Sequence, residues 1–131
     1  MQGQKKEFYL LMEFMYRKIV KVDEKEVFVS RTVTSWVSDC HMVARDKGFW
    51  DKKRNVGEML MLIVSELGEA IEAHRKGNFG LGQKDTFEDE LADTAIRLFD
   101  LCGGFGIDLE KQMEWKINFN KSREQRHGKA Y

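Results

Sequence analysis

Residues 59–100 decide the fold, and they read MLMLIVSELGEAIEAHRKG, then NFGLGQKDT, then FEDELADTAIRLFD. The first and last of these segments have helical periodicity, and the glycine-rich segment between them predicts a connection. Each helical segment carries two acids three residues apart, Glu66 with Glu69 and Glu90 with Asp93. Residues three apart share one face of a helix. Two antiparallel helices could therefore bring four carboxylates together, and hard cations such as Mg²⁺ prefer such ligands.

The two acid pairs differ in their surroundings on the helical wheel. At about 100° per residue, Glu66 lies in the middle of an apolar stripe and Glu69 lies at its edge. A carboxylate in the middle of such a stripe is costly unless something pairs with it. Glu90 and Asp93 fall on a polar face, and periodicity alone predicts that this face is solvated. Glu66 is therefore the acid that a purely structural explanation accommodates least easily.

The order of these acids resembles a known family signature. Glu66-Leu-Gly-Glu69, a spacer and Glu90-Leu-Ala-Asp93 are similar to the ExxE…ExxD motif of the MazG-like all-α nucleotide pyrophosphohydrolases. The resemblance covers residues 30–131. It includes ARDKGFWDKKRN before the first acidic helix and KINFNKSREQRHGKA near the end of the chain. The chain departs from the fuller motif at one position, because a serine precedes Glu66 where the fuller form has a further acid.

The resemblance implies a hydrolase that depends on Mg²⁺, with Mn²⁺ as an alternative metal. Its substrates would be ribo- or deoxynucleoside triphosphates, cleaved between the α- and β-phosphates to give a nucleoside monophosphate and pyrophosphate. The role that the resemblance implies is nucleotide-pool housekeeping. By the motif match, the metal ligands and catalytic residues are Glu66, Glu69, Glu90 and Asp93. The K…N…R run of the final helix supplies candidate substrate-binding residues: Lys116, Asn120, Lys121 and Arg123.

Two residues before the first acidic helix are further candidate substrate contacts. Trp50 lies in a turn, where its ring could stack on a base or close the end of the helical bundle. Arg54 could contact a phosphate or remain solvated. The basic tail that follows residue 120 also has two interpretations. It could clamp phosphates, since arginine and lysine suit phosphate, or it could be a solvated terminus.

Two other functions stay open. A phosphoribosyl-ATP pyrophosphohydrolase has the same fold family and similar chemistry with a larger substrate. A non-catalytic helical oligomer that binds metal or nucleotide is a different class, and the serine at position 65 is its best support. Thermal shift with Mg²⁺ and nucleotide would distinguish a scaffold from a nucleotide-binding enzyme.

Composition narrows the class of protein. The chain has 131 residues with 22 basic and 22 acidic side chains, a balance that argues against a general nucleic-acid binder. It has no proline, which suits a helical protein. No apolar run approaches the roughly 20 residues of a membrane span, and the first residues lack the pattern of a signal peptide. Cys40 and Cys102 are predicted as buried free thiols, which fits a cytoplasmic protein.

The sequence divides into an N-terminal helical extension, 1–29, and a pyrophosphohydrolase-like domain, 30–131. The extension is predicted to form a helix over residues 5–20, followed by a connector with a short extended piece at residues 27–29. The domain is predicted to be an all-α, four-helix-bundle-like fold with Trp36 in its core. Its helices would begin after Ser30, after Asn55, after Asp85 or Thr86, and after Asp108. The apolar excess and the resemblance together predict a homodimer or homotetramer.

Overall fold

The computed structural model of the chain describes residues 17–22 and 25–129, and helices form its main body. The four helices are α1 (Val33–Asp46), α2 (Val56–Arg75), α3 (Phe87–Gly104) and α4 (Leu109–Lys121). Two strands precede them, β1 (Arg17–Val22) and β2 (Lys25–Ser30), and a short 3₁₀ helix (Gln125–Gly128) follows. The prediction of four main helices in an all-α body is confirmed.

The N-terminal segment differs from the predicted helix. Residues 1–16 lie outside the described residues, but residues 17–20 belong to β1, so the helix prediction is wrong there. The segments RKIVKV and KEVFVS are rich in β-branched residues that favour strands, and they pair antiparallel with Arg17 opposite Ser30. The extended piece predicted at residues 27–29 is confirmed as part of β2.

Each main helix begins at a side-chain cap. The caps of α2, α3 and α4 agree with the sequence, since Asn55, Thr86 and Asp108 each accept a hydrogen bond from a backbone N–H three residues on. The predicted cap of α1 is wrong, because Ser30 ends β2 and Thr32 accepts from the N–H of Ser35 instead.

Helix α3 lies at the centre of the packing, with α1 on one side and α2 on the other. The buried apolar side chains come from these three helices: Val37, Cys40, Met59, Ala70, Ala73, Leu101 and Cys102. Both cysteines are buried and free, as predicted. Helix α4 has no buried residue, and it contacts the start of α1 through Glu110, whose carboxylate accepts from the backbone N–H and the hydroxyl of Thr34.

Several large apolar side chains are exposed. Trp36 is one of them: it is 39% exposed, with the guanidinium of Arg31 lying 3.5 Å from its ring centroid, so its predicted place in the core is wrong. On α2 a row of exposed apolar residues repeats at helical spacing, and we name it the outer seam: Leu60, Val64, Leu67 and Ile71. In the described part of the chain, the helices are too short or too polar to cross a membrane.

Candidate metal centre and adjoining groove

Three of the four predicted metal ligands converge between α2 and α3. Glu66, Glu69 and Glu90 each offer a carboxylate oxygen, and these oxygens lie within 4.8 Å of one another. We name these residues the acid triad. Glu66 and Glu90 are buried, at 8% and 5% exposure, whereas Glu69 is open to solvent. The triad thus has two buried carboxylates and, at Glu69, one side that a molecule from solvent can approach.

Glu90 corrects the expectation that the acidic face of α3 is solvated. The carboxylates of Glu66 and Glu69 on α2 meet this face, so Glu90 is buried, with 5% exposure. Periodicity within one helix could not foresee this, because the partner helix carries its own acids to the contact. The fourth acid of the motif, Asp93, is not part of the triad.

The electrostatics of Glu90 are unusual. Its Oε2 atom is buried and has no hydrogen-bond partner among the described residues. Burial raises the pKa of Glu90 to about 7, and the neighbouring carboxylates of Glu69 and Glu66 add to this rise. A buried acceptor without a partner is costly, so this oxygen is placed where a cation would satisfy it.

Glu66 has a partner that the sequence did not reveal. Arg97, from α3, donates from its Nε atom to Oε1 of Glu66 at 2.5 Å. Arg97 and Glu66 lie on different helices, and only the register between α2 and α3 brings the two side chains together. The guanidinium therefore compensates one of the charges of the acid triad.

Asp93 lies beside a second acidic group at the start of α3. The Nζ atom of Lys84 lies 2.7 Å from Oδ2 of Asp89 and 3.8 Å from Oδ2 of Asp93. The hydrogen bond between Lys84 and Asp89 raises the pKa of the lysine and lowers that of the carboxyl. Asp85, Asp89 and Glu90 also offer oxygens within 4.8 Å of one another, so Glu90 belongs to both groups.

A groove of about 390 Å³ runs along α1 and α3 next to the triad. It combines two aromatic side chains, Trp36 and Phe49, with cations and acids. The cations are Arg31, Lys47, Arg54 and Arg97, and the acids are Asp39, Asp93 and Asp100. Arg97 lines the groove and also pairs with Glu66, so it lies between the groove and the acid triad, whose own three residues do not line the groove.

Asp100 organises one end of this groove, and the sequence analysis missed it. Asp100 is 6% exposed, and its carboxylate pairs with Nδ1 of His41 at 2.9 Å. It also accepts from Nε1 of Trp50 at 2.8 Å and from Nη1 of Arg54 at 3.2 Å. The glycine pair that follows it, Gly103 with Gly104, was a usable signal, because adjacent glycines in a helix indicate close approach by another element.

The two candidate substrate contacts before α2, Arg54 and Trp50, lie in different surroundings. Arg54 lines the groove, where its guanidinium is held by Asp100. Trp50 does not line the groove: it packs edge-on against His41 and Phe105, with its ring over Gly104. This placement is compatible with the bundle-closing alternative, and Trp50 also lines a second cavity of about 710 Å³ beside His41, so both alternatives for Trp50 stay open.

The four candidates near the C-terminus lie away from the groove. Lys116, Asn120, Lys121 and Arg123 are exposed, and none of them lines the groove. Lys116 lies 4.9 Å from the ring of Phe119, and the guanidinium of Arg123 lies 5.7 Å from the same ring. Within one chain, α4 therefore does not bring these residues to the acids.

The acid triad fits a hard divalent cation on its chemistry. It offers oxygen ligands only, and Glu90 keeps a buried Oε2 atom without a hydrogen-bond partner among the described residues. Fully ionised, the triad carries three negative charges, and Arg97 cancels one. The remaining charge is equal in size and opposite in sign to that of one divalent ion.

Comparison of the chain with protein-family models, with curated proteins and with solved structures found no match in any of the three.

Proposed function

We propose that the protein is a Mg²⁺-dependent hydrolase of nucleoside triphosphates, with a nucleoside monophosphate and pyrophosphate as products. The observation that carries the proposal is the acid triad, in which Glu90 keeps a buried oxygen without a hydrogen-bond partner among the described residues. A divalent cation at this cluster would satisfy that oxygen. Glu66, Glu69 and Glu90 would hold Mg²⁺, or Mn²⁺ in its place.

The groove supports a nucleotide as the substrate. Its aromatic side chains, Trp36 and Phe49, suit the faces of a base, and its arginines suit phosphate oxygens. Arg97 lies between the groove and the triad, so a nucleotide in the groove would carry its phosphates toward the acids. The volume of about 390 Å³ lies within the usual range of small-molecule sites.

The residues of the chain take distinct roles in this proposal. Bound Mg²⁺ would supply positive charge that neutralises the phosphates and polarises the phosphorus centre. Arg54 and Arg97 bind phosphate oxygens and stabilise the charge that develops on them. Asp93 stands outside the triad and lines the groove, with the ammonium group of Lys84 at 3.8 Å, and we assign it the role of accepting the proton of an attacking water. Cleavage between the α- and β-phosphates follows from the family resemblance.

The proposed hydrolase is a homo-oligomer. The outer seam of α2 and the unburied helix α4 leave apolar side chains in water, which is typical of surfaces that pair with another subunit. A homodimer or homotetramer would cover them. It would also allow α4 to bring Lys116, Asn120, Lys121 and Arg123 to the groove of a neighbouring copy. The proposed setting is nucleotide-pool housekeeping in the cytoplasm.

One observation favours the non-catalytic alternative. The ion pair with Arg97 accounts for the burial of Glu66 without any metal. A scaffold stabilised in this way should show no rise in melting temperature with Mg²⁺ and nucleotide, whereas the hydrolase should show both responses.

The test is a panel of ribo- and deoxynucleoside triphosphates incubated with Mg²⁺ and resolved by chromatography. We expect monophosphate and pyrophosphate from at least one of them. Glu69→Gln should lower the rate at least about a hundredfold, because it removes a proposed metal ligand. Glu69 is exposed, so the substitution need not disturb the fold. Glu72→Gln is the matched control: this exposed acid of α2 pairs with Lys76 and lies outside the triad. Diphosphate and orthophosphate as products would mean cleavage of a different bond.

A further inference from the structure

Two arginines of the groove are each held by one buried acid. Arg54, from the loop before α2, donates from Nη1 to Oδ2 of Asp100 on α3 at 3.2 Å. Arg97, from α3, donates from Nε to Oε1 of Glu66 on α2 at 2.5 Å. Each guanidinium is thus held on one side by an acid from another element, so both have a defined orientation before any ligand binds.

Each guanidinium also keeps a pair of nitrogens that no residue of the described chain uses. In Arg54 these are Nε and Nη2, and in Arg97 they are Nη1 and Nη2. None of the four is a buried atom without a partner, a state that the described residues show only at Oε2 of Glu90, so the four nitrogens reach solvent. Because both arginines line the groove, a ligand there can reach these donors.

The two arginines are neighbours. Arg54, Arg97 and Asp100 line one small cavity of about 20 Å³, and all three also line the groove. The side chain of Arg54 is only 17% exposed, although it carries a charge. Two cations that line one small cavity repel each other, and the ion pairs with Asp100 and Glu66 offset that repulsion. A site that brings two arginines together and leaves donors of both unused suits an anion.

We propose that Arg54 and Arg97 form one site for a diphosphate group, and that this site is complete without a metal ion. A guanidinium can donate two parallel hydrogen bonds to one phosphoryl group, so two guanidiniums suit two adjacent phosphoryl groups. The inference rests on the proposed function, because it assigns the arginines to the part of the substrate that leaves as pyrophosphate and gains charge during cleavage. It also makes Asp100 and Glu66 the positioning residues of the two arginines.

The experiment titrates inorganic pyrophosphate into the full chain in the presence of a chelator, by isothermal titration calorimetry, and repeats the titration with orthophosphate. We expect one pyrophosphate per chain, bound at least about tenfold more tightly than orthophosphate, because orthophosphate can engage only one of the two guanidiniums in this way. This comparison needs no variant. Equal affinity for the two anions would overturn the inference, and so would the absence of pyrophosphate binding.

Two variants test the guanidiniums themselves. Arg54→Lys and Arg97→Lys each keep a positive charge beside the acid but lose the planar pair of donors, so each should weaken pyrophosphate binding at least about tenfold. Lys47→Met is the matched control, because Lys47 lines the same groove, is exposed and stands outside both ion pairs. Its loss should weaken binding about threefold at most, since salt screens an exposed charge. An equal fall in all three variants would mean general attraction by positive charge and would overturn the inference.

Glu69→Gln separates this inference from the proposed function. It removes a ligand of the acid triad, and Glu69 has no hydrogen bond or ion pair with either arginine. We therefore expect this variant to lose hydrolysis and to bind pyrophosphate in chelator as the wild type does. A wild type that binds pyrophosphate but hydrolyses no nucleoside triphosphate would keep the diphosphate site and refute the hydrolase. A wild type that hydrolyses nucleotides but binds no pyrophosphate without metal would refute the diphosphate site alone.

Discussion

Replacing Gly104 by alanine is expected to displace Trp50 and to loosen the end of the groove that holds Arg54. A Cβ atom at Gly104 would lie 2.0 Å from Cη2 of the Trp50 ring and 2.3 Å from Cζ2. The indole is rigid, so its ring must move as a whole. Its Nε1 donates to Asp100 at 2.8 Å, and that hydrogen bond would break with the movement. Asp100 would then keep only His41 and Arg54 among the partners described above.

The size of the effect follows from two terms that arise from one event. Inserting a methyl group into a packed contact costs about 1–3 kcal/mol. Losing a hydrogen bond to a charged acceptor costs about 1.5–3 kcal/mol. Because the same shift of the indole relieves the clash and breaks the bond, the terms overlap, and we expect a loss of about 2–4 kcal/mol. For a chain of this size that corresponds to a fall in Tm of roughly 5–15 °C.

The assay is urea unfolding followed by circular dichroism and by tryptophan fluorescence, with Gly68→Ala as the matched control. Gly68 lies inside α2 with nothing within 4 Å of its would-be Cβ. There the same substitution should raise the free energy of unfolding by about 0.5–1 kcal/mol, because alanine favours the helix. A Gly104→Ala variant as stable as the wild type would refute the account of how Trp50 is held. A loss of stability in Gly68→Ala would instead point to a partner covering that side of α2.

Three further predictions concern the acid triad and the outer seam. As pH rises from 4.5 to about 7, the metal-free chain should lose stability, because only the folded state still holds the proton of Glu90. Calorimetry in chelator should show this fall, and Glu90→Gln should remove it; an unaltered slope would contradict the assignment. Arg97→Met should lower the free energy of unfolding by about 1–3 kcal/mol without metal, because it leaves the buried Glu66 without its ion-pair partner. In a thermal melt, added Mg²⁺ should restore part of this loss. Leu67→Glu should shift the chain toward monomer in sedimentation, and an unchanged mass would exclude the outer seam as the subunit contact.

The sequence was sufficient where the controlling interactions are local. Caps such as Asn55 and Asp108 act over three residues, so their chemistry is visible in a short window. The burial of Glu66 followed from its position within one helix. The predicted helix over residues 17–20 failed because pairing with β2 overrides the helix preference of the segment, and pairing is not local.

The parts of the site that escaped prediction depend on the register between helices. The partner of Glu66 is Arg97 and the partners of Asp100 are His41, Trp50 and Arg54, all of them on other elements. Trp36, expected in the core, instead lines the groove with Arg31 against its ring. Each of these side chains has ordinary properties within its own segment, and only the packing of α3 between α1 and α2 assigns it a role.

The same packing explains why the acids and the groove occur together. Helix α3 presents Glu90 to α2 and Asp100 to α1, so its two buried carboxylates face different neighbours. Glu90 lies near other acids, and its Oε2 atom has no hydrogen-bond partner among the described residues, whereas Asp100 is surrounded by donors. An acid among acids attracts a cation, and an acid among donors fixes the arginine that lines the groove. A substrate that brings both a metal and phosphates would therefore use both ends of one helix, and a nucleoside triphosphate is such a substrate.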